Sequence, residues 1–360
     1  MRVALVHDYL NQRGGAERVF ARIAQAWPDA PVYTALYDER VSGDLIPRER
    51  VRTSYLSRVP FANRWFRALA PLYPRAFEAF DFSEFDTIVS STTSWAKGVR
   101  VPPGAVHVCY INTVSRFNFA YDSYVGGFGL GALARPFVDR LVDWDLRAAQ
   151  RPTHFVANSS NVARRVAQYY GRDAEVLHCP VDIERFTIGT GRGEYFFIAS
   201  RLLPYKRIGL AIAAAQLAGV RLLVAGTGPA QTELRRQAQG TTTTLLGYVD
   251  DERMNALLGD AVAAILPGEE DLGLVPLEAA AAGRPTIAFR GGGALETVIE
   301  GETGTFFDDA TPESLAGALR AFDPSRYDPQ RLRAHAQRFA PATFVERLRA
   351  IVERVRSGAR

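Results

Sequence analysis

Short apolar runs separated by amphipathic stretches recur along most of this chain. In the first half the runs fall at residues 3–7, 32–35, 87–90, 106–110, 154–157 and 175–177. In the second half they fall more regularly, at residues 195–199, 221–225, 243–246, 261–266 and 286–289. Unbroken apolar runs of strand length suit strands buried on both faces, the condition inside a parallel sheet. Helix-patterned segments lie between them, so the alternation predicts an α/β protein with doubly wound parallel sheets. A last helix is predicted over 343–355, with Phe344, Leu348, Ile351 and Val355 on one face. Between the halves, Ile188-Gly189-Thr190-Gly191-Arg192-Gly193 is glycine-rich and aperiodic, which predicts a linker. The expected division is therefore a domain over 1–188, a second over 189–340 and a closing helical segment over 341–360.

Composition narrows the class. A length of 360 residues suits two domains of ordinary size, and 47% hydrophobic with 23% charged residues describes a soluble globular chain. Cys109 and Cys179, the two cysteines, sit in apolar surroundings without zinc-type spacing, which predicts reduced core residues of a cytoplasmic protein. The chain opens directly on a strand pattern, so no secretory leader is expected. The longest apolar stretch, 210–224, is interrupted by Gln216 and Arg221, so no membrane-spanning helix is expected.

The net charge of +4 is modest but unevenly spread. Arg50, Arg52, Arg58, Arg64, Arg67 and Arg75 occupy the stretch 50–77, which holds no acidic residue. Tyr55, Phe61, Trp65, Phe66 and Tyr73 are interleaved with them. Arginine with Trp and Phe at near-helical spacing suits an interfacial segment on anionic lipid; a core-packed helix with a solvated basic face fits the pattern equally. No nucleic-acid module is recognisable, and no nucleic-acid partner is expected.

Four segments carry candidate chemistry. In Glu270-Asp271-Leu272-Gly273-Leu274-Val275-Pro276-Leu277-Glu278, two carboxylates flank a glycine turn and a helix start, where Pro276 fits the first turn. Carboxylates accept hydrogen bonds from sugar and ribose hydroxyls, and a helix start suits phosphate. Arg201 and Lys206 follow the run 195–199, at a strand's carboxyl end where cations can neutralise a diphosphate. Gly14-Gly15-Ala16-Glu17 follows the first strand and opens a helix, which allows close backbone approach to phosphate. Gly226-Thr227-Gly228 repeats the strand, glycine turn, helix arrangement without the full dinucleotide fingerprint.

Taken with Val156-Ala157-Asn158-Ser159, Pro180-Val181-Asp182, Gly247-Tyr248-Val249 and Gly291-Gly292-Gly293-Ala294, this set resembles the retaining glycosyltransferases of family 4 over nearly the whole chain. The form Glu270-Asp271-Leu272-Gly273 is similar to that of bacterial mannosyltransferases of O-antigen and exopolysaccharide assembly. The resemblance implies the GT-B fold: two Rossmann-like domains facing a central cleft, with a C-terminal helix crossing back to the N-terminal domain.

It further implies transfer of a hexose, mannose from GDP-mannose first, to a lipid-linked or other glycan acceptor. Alternatives are a UDP-hexose-dependent enzyme of the same fold and a degenerate sugar-nucleotide-binding subunit. A nucleotide-sugar epimerase of the same shape is disfavoured, since its chemistry needs acid and base groups around the sugar and histidines are few. The implied roles put Arg201 and Lys206 on the diphosphate, Glu270 on the donor sugar and Glu278 on the ribose. The base would lie against Tyr248 and Val249. Gly14, Gly15, Gly226, Asp271, Gly273, Leu274 and Val275 complete the implied donor site. Retention without a nucleophile implies same-face displacement, with Glu270 as a positioner.

In Tyr110-Ile111-Asn112-Thr113-Val114-Ser115-Arg116-Phe117, Asn112 stands where relatives carry histidine, and an amide cannot carry a proton. Asp8 ends the first strand and either orients an acceptor hydroxyl or closes its own loop. Asp143-Trp144-Asp145 mimics a metal-binding Asp-x-Asp but lies in an amphipathic run and is expected to be a decoy. The expectation is no cofactor and no metal beyond the nucleotide-sugar co-substrate, in a cytoplasmic protein touching the inner face of the cell membrane through the stretch 50–77.

Overall fold

The computed structural model describes residues 1–115 and 135–358. It divides into two compact units: Met1–His178 with Phe344–Arg360, and Cys179–Thr343. The first carries a seven-stranded sheet of β1 (Val3–His7), β2 (Val32–Thr34), β3 (Val51–Thr53), β4 (Thr87–Thr92), β5 (Val106–Ile111), β6 (His154–Ala157) and β7 (Ala174–Val176). Their spatial order is β3-β2-β1-β4-β5-β6-β7, and each ladder is parallel, with Val3 opposite Thr87 and Ser90 opposite Cys109. The order reverses between β1 and β4, the point at which open α/β sheets bind ligands beyond their carboxyl ends. Every residue of β1, β4 and β5 is buried, as central strands of a parallel sheet are, although β4 carries Thr87, Ser90, Ser91 and Thr92 beside Ile88 and Val89.

The second unit carries β8 (Phe196–Ala199), β9 (Leu222–Ala225), β10 (Thr243–Gly247), β11 (Ala264–Leu266), β12 (Thr286–Phe289) and β13 (Gly304–Phe307). Their order is β10-β9-β8-β11-β12-β13, again parallel, with the reversal between β8 and β11. Side chains of β8 and β9 alternate between two cores. Phe196, Ile198, Leu222 and Val224 pack with residues of helices Ile208–Ala218 and Pro312–Ala321. Phe197, Leu223 and Ala225 pack with residues of helices Val275–Ala281 and Pro329–Gln337. Helices cover both faces, as the two-sided burial of a parallel sheet requires.

The last helix, Pro341–Gly358, buries Phe344, Leu348, Ile351 and Val352, and from Phe344 onward it belongs to the first unit. Phe344 meets Tyr110 edge-on at 5.5 Å, Arg349 Nε donates to the carbonyl of Ala26 at 2.8 Å, and Arg354 pairs with Glu175. Among the described residues no helix is long and apolar enough to cross a membrane.

Two expectations need correction. The linker predicted at 188–193 is not where the units divide: the boundary lies between His178 and Cys179. Val181, Ile183 and Phe186 already belong to a core of the second unit, and the glycine run is tied down. Gly189, Gly191 and Gly193 donate their amides to Ala282, Gly259 and Asp260, so the glycines serve close packing and not flexibility. The second correction concerns strands β3 and β13, which the apolar pattern did not predict. Only Val51 of β3 is buried, and β13 begins on a glycine behind a turn.

Candidate functional site

In the second unit β8 and β11 are neighbours, with Ala264 opposite Phe197, so the loops leaving their carboxyl ends are adjacent. After β8 come Arg201 and the short turn Pro204–Lys206; after β11 come Glu269 and Glu270. Lys206 Nζ and Glu270 Oε1 form an ion pair whose side chains are each 16% exposed. Two segments singled out separately in the sequence therefore meet at the reversal of strand order. Arg201 is exposed, and its guanidinium takes no partner among the described residues.

Two glycine segments hold this arrangement. Gly226 has φ +133°, and a Cβ there would stand 1.8 Å from the carbonyl oxygen of Ser200. Its turn is laced to the Arg201 loop, since Leu202 N–H donates to Thr227 O and Ala230 N–H to Leu202 O, both at 3.0 Å. Gly226 is thus spent on protein backbone, and its immediate task is to support Arg201. Gly293 donates to Glu270 O at 2.9 Å, and a Cβ on it would lie 2.2 Å from Leu272 Cα. The Gly291-Gly292-Gly293 run therefore has a physical reason: the backbone carrying Glu270 and Asp271 lies directly on it.

The turn predicted around Gly273 is present, with φ +82°, followed by half-buried Leu274 and Val275 and by helix Val275–Ala281 with Pro276 in its first turn. Asp271 and Glu278 are half-buried. Tyr248 follows β10 and is 80% exposed, while Val249 is partly buried against the core beside it.

In the first unit the residues near the reversal are bound more tightly to one another. Glu17 is buried at the start of helix Gly15–Ala26; its Oε2 accepts from Gly14 N–H at 2.8 Å and its Oε1 from Gln12 Nε2 at 3.0 Å. His7 Nδ1 donates to Ser91 O at 3.1 Å and its ring stacks on Phe20, leaving Nε2 at 3.9 Å from Glu17. The Gly14 amide, predicted to approach phosphate, is held by this carboxylate.

Asp8 requires a correction. It is 1% exposed and accepts six hydrogen bonds from a single loop. Oδ2 takes Thr93 N–H at 2.6 Å, Thr93 Oγ1 at 2.8 Å and Ser94 N–H at 3.0 Å. Oδ1 takes Ala96 N–H at 2.7 Å, with Trp95 N–H and Thr92 Oγ1 each at 3.0 Å. Two carboxylate oxygens offer about four lone-pair directions, so this loop saturates them. Asp8 closes the loop after β4 and does not reach for an acceptor hydroxyl.

Asn112 is buried just past β5, its Nδ2 donating to Ser91 Oγ at 3.0 Å and to Thr92 O at 3.2 Å. Of its sequence neighbours, Arg116 and Phe117 lie outside the described residues.

A buried ionic cluster adjoins this region and was missed in the sequence. Lys97 and Asp145 are fully buried and paired. Burial opposes the Lys97 charge, but Asp145 outweighs it and holds the ammonium above its ordinary value. Tyr170 donates to Asp145 Oδ2 at 2.7 Å; burial pushes its hydroxyl well up. The signal was a lysine inside the apolar run Trp95-Ala96-Lys97-Gly98-Val99, with its partner 48 residues away. Asp143 is exposed while Asp145 is consumed by Lys97, so the Asp-x-Asp carboxylates diverge. Among the described residues no group of three potential ligands stands ready for a metal.

The basic stretch 50–77 is not one amphipathic helix. It forms short turns at Tyr55–Arg58 and Phe66–Leu72 and a helix at Tyr73–Glu78. Arg50 is structural, donating to the carbonyls of Trp27 and Ala30. Phe61 and Trp65 stand 76% and 60% exposed, with the Arg64 guanidinium over Trp65 and that of Arg67 over Phe66.

Comparison with known proteins now bears on these two sites. The model of the family described as Glycosyltransferase Family 4 matches residues 13–185, and that described as Glycosyl transferases group 1 matches residues 181–339. The chain belongs to glycosyltransferase family 4. It is 32% identical over 231 residues to a glycogen synthase of Mycobacterium tuberculosis, covering 59% of this chain and 55% of that one. It is 35% identical over 158 residues to a GDP-mannose-dependent α-(1-6)-phosphatidylinositol dimannoside mannosyltransferase of the same organism, covering 41% of each. The chain spans about half the length of the curated relatives it matches. In fold it is similar to Anabaena HepE, solved in complex with UDP, at a TM-score of 0.71 and 19% identity over 98% of this chain and 100% of that one. The fold is GT-B, with two Rossmann-like parallel-sheet domains.

Proposed function

We propose that this chain moves a hexosyl group, with retention of configuration, from a nucleotide-sugar onto a glycan acceptor carried on lipid, with GDP-mannose as the first donor to test. The observation that carries the reading is the Lys206–Glu270 pair beside Arg201 at the strand-order reversal of the second unit. A leaving nucleoside diphosphate gathers negative charge, and fixed cations aimed at it lower the barrier. Arg201 and Lys206 take that charge. Glu270 is released by Lys206 to accept from the donor sugar's hydroxyls, and Glu278 takes the ribose. The leaving phosphate oxygen accepts the acceptor's proton, so Glu270 positions and forms no covalent bond. Asn112 contributes hydrogen bonding alone, because an amide does not titrate. No step calls on a metal, and turnover that persists in chelator is the expected result.

The mannosyltransferase relative supports GDP-mannose; the UDP complex of HepE favours a UDP-hexose as the second reading. Exposed Phe61 and Trp65 among Arg58, Arg64, Arg67 and Arg75 support peripheral contact with the anionic inner face of the cell membrane. Thermal unfolding with GDP, UDP and ADP at matched concentrations tests the donor. A ligand at a hundredfold its Kd stabilises by about 2.7 kcal/mol, and Lys206→Met removes most of the shift. A shift with UDP alone replaces GDP-mannose by a UDP-hexose; no shift with any of them refutes the nucleotide site. Turnover by the purified chain without a partner excludes a degenerate binding subunit.

A further inference from the structure

We propose that the buried Lys97–Asp145 pair is a positioning device that clamps the loop after β4 to the loop after β5 and thereby sets the place of Asn112. Lys97 Nζ donates to the Ser94 carbonyl, to Asp145 Oδ1 and, at 3.2 Å, to Ser115 Oγ. Ser94 belongs to the loop after β4 and Ser115 to the loop after β5. Asp145 closes the cluster from helix Arg135–Ala148, taking Ser115 Oγ at 2.6 Å on Oδ1 and Tyr170 OH at 2.7 Å on Oδ2. The Tyr170 oxygen in turn accepts from Ser115 N–H at 3.3 Å. Each loop thus has a tether to the same buried charge.

Asn112 lies between those tethers. Its Nδ2 bonds Ser91 and Thr92 at the end of β4, and its own carbonyl accepts from Asn158 Nδ2 at 2.9 Å. A shift of either loop moves this crosspiece. Stability alone does not call for ions here, since buried pairs replaced by apolar side chains of similar volume often leave a protein as stable or more so. The ring centroids of Trp144 and Tyr170, at 6.0 and 5.5 Å from Nζ, wall the cation in. The result is a charged anchor with no access to water, suited to fixing geometry. The proposal rests on the transferase reading only for its catalytic consequence.

The test is the double variant Lys97→Met with Asp145→Asn, which removes both charges and keeps one acceptor oxygen, for Ser115 or for Tyr170, with an NH2 group that can donate to the other hydroxyl. The expected result is a folded protein whose amide exchange over residues 92–98 and 109–115 rises by about tenfold or more. The turnover number falls by a similar factor while the KM for the donor is kept, because Arg201, Lys206, Glu270 and Glu278 lie in the other unit. Unchanged exchange in both loops overturns the proposal, whatever happens to turnover. Absence of turnover in the parent chain refutes the transferase reading, and the exchange measurement still decides the clamp. Should the double variant not fold, Ser115→Ala leaves the ion pair in place and cuts one tether. Faster exchange confined to 109–115 is then expected, and no change refutes the clamp.

Discussion

Replacing Asp8 by asparagine preserves the side chain's shape while removing its charge and one of its two acceptor atoms. In the parent each oxygen receives two backbone amides as well as a threonine hydroxyl. Turned one way, its NH2 group faces the buried N–H donors of Trp95 and Ala96; turned the other, it faces those of Thr93 and Ser94, of which Ser94 keeps Thr92 Oγ1 at 3.0 Å. The hydroxyls can rotate to other partners, but the backbone amides cannot. One or two unmet donors at about 1–3 kcal/mol each give a loss of roughly 1–6 kcal/mol. For a unit of this size that corresponds to a fall in melting temperature on the order of 10 °C. Scanning calorimetry of the Asp8→Asn chain measures it, read on the transition of the first unit because two units need not melt together. A variant that melts within about 2 °C of the parent yet has lost transferase activity would refute the reasoning and return Asp8 to the substrate.

Three further outcomes are expected. Gly226→Ala drives a methyl into the Ser200 carbonyl at a φ that L-residues avoid, costing about 2–4 kcal/mol and abolishing the nucleotide-induced thermal shift as Arg201 is displaced; an unaltered shift would show that the Arg201 loop does not depend on the turn. Burial, with Arg151 adding to it, pushes His107 down to about 3, so the folded state keeps it neutral while the unfolded chain protonates below pH 6.5. Its contribution is therefore complete above pH 6.5 and is lost as the pH falls, by about 3 kcal/mol at pH 4, and His107→Gln should flatten that part of the stability profile in urea titrations. Burial also pushes the Cys109 thiol up to about 12, so native protein at pH 8 should leave it unlabelled by a thiol reagent, with rapid native labelling as the contrary result.

The parallel sheets were legible because burial on both faces leaves continuous apolar runs, as in β8 and β9. Strand β3 escaped notice because only one of its three residues is buried and it lies in a basic stretch. Arg201, Lys206, Glu270 and Glu278 were legible as chemistry, from residue type and from position after a strand. The pairing of Lys206 with Glu270 was not, since it depends on β8 and β11 being neighbours although more than 60 residues separate them. The glycines at 189–193 misled for a related reason. Glycine marks either freedom or crowding, and only the Gly259 and Asp260 carbonyls beside the run distinguish the two. Lys97 shows a further boundary: what makes a buried charge tolerable lies on a distant helix.

The return of helix Pro341–Gly358 to the first unit has a consequence for biosynthesis. The second unit is continuous in sequence, so it can close without any residue beyond 343. The first unit cannot, although its strands are synthesised earliest. Its Tyr110 ring, the Ala26 carbonyl and Glu175 wait for Phe344, Arg349 and Arg354. The half of the protein that leaves the ribosome first is therefore the last to be completed. A released chain truncated after residue 343 should hold a protease-resistant second unit and a first unit that is still open to cleavage.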